Sequence, residues 1–158
     1  MTVDEESLSW LKARVRSAAF QAVAMSVVAF GVLVYLFLIG RSWKSYVAFT
    51  VGIFIGTLLG IRRPPNLLSF VPIRTPLKIT EEEAMKRMMT YWKRFPRFYC
   101  WMANVPYLVV LLITAVLTRR EIHEPGFFLK AILGFFPSVI LCEGVFFTYV
   151  VLSWGEKD

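Results

Sequence analysis

"FFPSVILCEGVFFTYVV", residues 135–151, is apolar at almost every position, yet it holds one carboxyl group, Glu143. The apolar run around it extends over 127–154. A bilayer span needs about 20 apolar residues at about 1.5 Å of rise each to cross roughly 30 Å of hydrocarbon. This run is longer than that and is expected to tilt, or to kink at Pro137. With no water to satisfy the backbone, such a segment must be helical.

Three more runs of the same kind lie outward from it: 18–40, 45–61 and 99–118. The second is at the short end of the permitted range. "RSWK" at 41–44 joins the first pair and "RREIHEPG" at 119–126 joins the last pair. Connections this short make antiparallel neighbours. The expected fold is therefore an all-α integral membrane domain spanning 1–158, with four transmembrane helices in two antiparallel hairpins. Composition agrees: 57% of residues are apolar and 16% aromatic, against roughly 45–50% apolar in a soluble domain.

The net charge is +7. The basic residues gather beside the apolar runs rather than in a nucleic-acid motif, so anionic lipid headgroups are the expected partner and nucleic acid is not. Of the 18 Lys and Arg, 13 lie in the N-terminal segment, the central connection 62–98 and the C-terminus. The positive-inside rule then puts both termini on the cytoplasmic side or its equivalent. The organelle stays open: endoplasmic reticulum or mitochondrial inner membrane in a eukaryote, plasma membrane in a prokaryote. Residues 1–17 are acidic before they are basic, unlike a cleaved signal peptide, so the first run is expected to be retained. Thr2 and Glu5 read as a cap, with Leu8, Leu11 and Val15 on one face of an amphipathic segment.

The central connection opens with "IRRPPNLLSFVPIRTP", too rich in proline for a long helix. Its apolar piece, 67–73, is too short to span. A helix is expected over 81–95, capped by Thr80 with Glu83 and stopped by Pro96. Met85, Met88, Met89, Trp92 and Phe95 recur at three or four residues and share one face. That face is expected to lie in the membrane interface or against a partner. Arg62, Arg63, Lys93, Arg94 and Arg97 are the expected headgroup contacts.

Within the spans, Glu143 lies eleven residues from Trp154, about 16 Å and close to mid-bilayer. An acid there costs roughly 2.5–3.5 kcal/mol on insertion scales. Asn104 and Tyr107 of the third span reach a similar height, as does Ser26 of the first. The plain expectation is a protonated acid hydrogen-bonded to Asn104 or Tyr107, or paired with a base of another subunit. Proton or ion handling is a second reading, and exposure to water or headgroups a third. Gly52, Gly56 and Gly60 form a small-residue face on the second span, expected to pack on span one or on another subunit.

No cofactor is expected. Cys100 and Cys142 make no metal spacing, and His123 stands between two glutamates in a polar loop without further ligands. No nucleophile set, phosphate loop or paired-ligand helix points to an enzyme. These features suggest a non-catalytic accessory or regulatory subunit with a hetero-oligomeric membrane partner. The alternative is a small oligomeric channel or transporter using Glu143.

Residues of the second half carry a family resemblance. "RTP" at 74–76, "MKRMMTYW" at 85–92, Pro106 and "EIH" at 121–123 resemble corresponding places in the Orm (ORMDL) family of four-span endoplasmic-reticulum proteins. Chain and loop lengths are similar as well. Arg-Thr-Pro-Leu stands here for that family's Gly-Thr-Pro-Phe, and the N-terminal half matches the family poorly. The resemblance implies a regulator of serine palmitoyltransferase, and so of sphingolipid synthesis, without activity of its own.

Overall fold

A computed structural model describes residues 5–40, 43–65, 81–117 and 127–154. All regular structure among them is helical: α1 Glu5–Gly40, α2 Trp43–Arg62, α3 Glu81–Arg94, α4 Phe98–Leu117 and α5 Phe127–Leu152. Three helices, α1, α2 and α5, are by themselves long and apolar enough to cross a membrane. A fourth span follows if α3 and α4, bent by 76° at Phe95–Arg97, are taken as one interrupted unit. The caps at Thr2 and Thr80, the apolar piece 67–73, the motifs at 74–76 and 121–123, and His123 lie outside the described residues.

α1 carries the amphipathic segment straight into the first apolar run. The amphipathic segment and the first span are one unbroken helix of 36 residues, about 54 Å long. Nothing between Leu11 and Ala22 breaks it, since "LKARVRSAAFQA" has no glycine or proline. Leu11 and Val15 are fully buried, so the amphipathic turns are part of the core and not an independent surface helix.

The helices that follow one another are not the ones that pack most closely. α5 is the central element, packed mainly on α2 and α1 and less on α4, whereas α1 and α2 barely touch. Register explains the layout. A Cβ on Gly52 would meet the Ala131 carbonyl, one on Gly56 would meet Phe135 and Ser138, and one on Gly60 would meet Cys142 and Val139. Both numbers rise together, so α2 and α5 run parallel. Ser26 of α1 reaches the Pro137 carbonyl, while Gly144 lies against Ala22 and Val23, so α1 runs antiparallel to α5. Pro137, which cannot donate to its own helix, sits inside an unbroken α5, and the Ser26 hydroxyl donates to its carbonyl at 2.9 Å.

Two apolar clusters fill the bundle. One joins Phe30 and Leu33 of α1, Phe49 and Ile53 of α2, Tyr107 and Leu111 of α4, and Leu141 of α5. The other joins the first turns of α1 (Leu11, Val15), α3 (Ala84, Met88, Trp92) and the last turns of α5 (Phe146, Phe147, Val150).

Candidate functional site

The glycine face of α2 is a packing face, but its partner is α5 rather than span one. Small residues let two backbones come together where side chains would hold them apart. α5 supplies a matching row. Gly134, Ser138 and Cys142 recur every four residues on its α2-facing side, and a Cβ on Gly134 would meet the Phe49 carbonyl. This row is a second small-xxx-small pattern, legible in the sequence once serine and cysteine are counted with glycine as small, and the glycine pattern of α2 alone did not reveal it.

α3 is also used internally. Its Trp92 ring meets Phe146 edge-on at 5.2 Å, and Phe95 meets Phe146 at 5.4 Å. Ala84, Met88, Trp92 and Phe95 are buried, and Met89 packs at the edge of the cluster. Met85 is 40% exposed and does not belong to the buried face, whose axis runs through Ala84 instead. The expected contact surface for a partner is therefore occupied by the chain's own α1 and α5. The reason is the 76° bend, which turns α3 across the end of the bundle. Lys93, Arg94 and Arg97 stay exposed beyond it, and the Arg97 guanidinium lies 5.9 Å from the Trp92 ring centre.

The polar groups expected to pair with Glu143 are engaged elsewhere. Tyr107 and Ser26 share a hydrogen bond of 2.8 Å between α4 and α1, and Tyr107 stacks on Phe30 with centroids 3.8 Å apart. The amide of Asn104 donates to the Cys100 carbonyl at 2.8 Å and points its other reach toward the Cys142 sulfur at 3.9 Å. Asn104 Oδ1 is buried without a hydrogen-bond partner among the described residues. Lys130, near the opposite end of α5, donates to Ser45 at 2.6 Å and so ties the starts of α5 and α2 together.

The helical wheel gives the reason. Cys142 faces α2 and Gly144 faces α1. At 100° per residue, Glu143 falls between them, on the side of α5 away from α4. Gly60 lies level with Cys142 and Val139, so α2 reaches its end at Arg62 and Arg63 on the level of Glu143. Glu143 is thus level with the C-terminal end of α2. Counting along α5 alone could not reveal this, because α5 runs past α2 by about two turns to pack on α3. Glu143 is half-buried there, and Arg62 and Arg63 are exposed.

The Ser26–Tyr107 pair permits a direct test. Each single change, Ser26→Ala or Tyr107→Phe, should cost about 1 kcal/mol by unfolding in detergent. The double variant should cost clearly less than the sum. Strict additivity would mean the bond contributes nothing.

No family model matches the chain, and neither a curated protein nor a solved structure is similar to it.

Proposed function

We propose that this chain is an integral membrane protein that crosses the bilayer four times and acts without chemistry of its own, as an accessory or regulatory subunit of a larger membrane assembly. The observation that carries the reading is the outward surface. Phe20 is 77% exposed, and Met25, Val28 and Tyr35 of α1, Phe54 and Ile55 of α2, Met102 and Ile113 of α4, and Phe136 of α5 are all more than two-fifths exposed. Contiguous apolar surface on this scale is unfavourable in water, and hydrocarbon is the solvent that suits it. Ser26, Thr57, Asn104 and Ser138 are buried among the helices, where they make or can make hydrogen bonds away from that apolar surface.

In this reading α1, α2, α4 and α5 are the four spans. α3 lies across their inner end with the exposed cations Lys93, Arg94 and Arg97 near the headgroups. Both termini then share the cytoplasmic side or its equivalent with α3. With the α2 glycines and the α3 apolar face engaged internally, the outer sides of α1 and α4 are the open surfaces that suit a protein partner best. An Orm-like regulator of sphingolipid synthesis is one specific form of this role. It is supported by the second-half motifs and by a short helix placed between the second and third spans.

The competing channel or transporter reading draws less support from the geometry. Glu143 leaves α5 on the side opposite α4, away from the buried polar groups of the bundle interior. Purification from the native membrane in mild detergent should yield a hetero-complex by native mass spectrometry. A monodisperse monomer would count against the subunit role. Proton flux into liposomes should be no greater than in empty liposomes and unchanged by Glu143→Gln. Flux that the substitution abolishes would favour the channel.

A further inference from the structure

We propose that the open face of α5 beside the inner end of α2 is a binding site for a phospholipid whose headgroup carries both a phosphate and a primary ammonium, as in phosphatidylethanolamine. This rests on the membrane reading above and specifies a ligand that reading leaves open.

Three observations converge on this face. The first is an apolar track. α1 and α2 flank α5 but scarcely meet, and α4 occupies the opposite side. Ile132 and Phe136 are about half exposed there, with Ile140 next along the same stripe. From Ile132 to Glu143 the track rises about 16 Å, parallel to the direction an acyl chain takes in a bilayer.

The second is the charge pattern at its inner end. Glu143 closes the track. Arg62 and Arg63 follow Gly60 by two and three residues, at the same level. α2 and α5 run parallel, so their wheels can be compared directly. With the glycines of α2 turned to α5, both arginines leave α2 on the side of the contact where Glu143 leaves α5, away from α4. One half-buried carboxylate with two exposed guanidiniums is the complement of an ammonium joined by two carbons to a phosphate. The phosphate takes the arginines, in the planar fork geometry that suits it. The ammonium, with three N–H donors, takes the carboxylate.

The third is the floor. α3 packs on the α5 turns that follow Glu143: Trp92 meets Phe146 edge-on, and Met88 joins the same cluster as Phe147 and Val150. A headgroup at Glu143 is therefore held from below rather than merely passing along the surface. A carboxylate at this level also becomes favourable rather than costly once a cation meets it.

The test uses the full chain reconstituted in phosphatidylcholine vesicles doped with equal amounts of phosphatidylethanolamine and phosphatidylglycerol. The protein is recovered in mild detergent, and retained lipid is measured by native mass spectrometry. Phosphatidylethanolamine should be enriched over phosphatidylcholine on the order of tenfold, because a quaternary ammonium has no N–H to donate. Retention should fall stepwise through the mono-, di- and trimethylated headgroups on the wild-type chain, a series that needs no variant to fold. Glu143→Gln should bring phosphatidylethanolamine down to the phosphatidylcholine level while leaving phosphatidylglycerol unchanged. Changing Arg62 and Arg63 to Gln should lower all three. Equal retention of the ethanolamine and choline lipids by the wild type, or a preference that survives Glu143→Gln, overturns the site. A chain that stays dissolved without detergent and does not enter vesicles defeats the membrane reading instead.

Discussion

Gly52→Ala is expected to destabilise the bundle by about 1–3 kcal/mol or more, the cost of overpacking a close contact. The added methyl would meet the carbonyl oxygen, the carbonyl carbon and the Cα of Ala131, all backbone. No rotamer change on α5 can relieve that contact, so the two helices must separate. Separation would loosen the neighbouring approaches at Gly56 and Gly134, because all three hold the same pair of axes together. Gly31→Ala is the control. A Cβ there meets nothing within 4 Å, and the change should be neutral or slightly stabilising, as alanine favours a helix by roughly 0.5–1 kcal/mol over glycine. Unfolding in detergent, followed by circular dichroism, reads both. Equal small effects at the two positions would mean that α2 and α5 do not approach as described.

Trp92→Ala should cost about 3–5 kcal/mol, in the range for removing a large buried aromatic. Trp92 meets both Phe95 and Phe146, and it is the residue through which α3 is anchored to the last turns of α5. The loss should be local in form. α1, α2, α4 and α5 keep their mutual contacts, so the variant should keep the rest of the bundle folded, but α3 should become open to protease. Met85→Ala, on the exposed side of the same helix, should stay within about 0.5 kcal/mol of wild type. If the α3 segment remains as protected in Trp92→Ala as in wild type, the helix is held by something other than this cluster.

Lys130 and Glu143 show what counting along one helix leaves out. Both are charged residues in an apolar run, and counted along α5 alone one looks near the end and the other near the middle. The packing sets the two near opposite ends of α2: Lys130 donates to Ser45, and Glu143 follows Cys142, which lies against Gly60. Helix ends were legible because proline, charge and loss of hydropathy mark them. The α2 boundary moved from 45–61 to Trp43–Arg62, and α5 from 127–154 to Phe127–Leu152, shifts of a residue or two. The offset between α2 and α5 was not legible, since it depends on which side chains interlock.

The sequence alone determined that the chain is helical, where its long apolar helices run, and that a shorter amphipathic helix lies between the second and third of them. Those follow from local rules: run length, periodicity and the stop signals at Pro64, Pro65 and Pro96. Only the tertiary structure decided that α5 is the hub, that the α2 glycines meet α5, that α3 is consumed by the core, and that Glu143 turns away from Asn104 and Tyr107. Choosing among apolar faces is a matter of shape. Every helix here offers greasy surface to every other, and what separates one pairing from the next is how closely the backbones can approach.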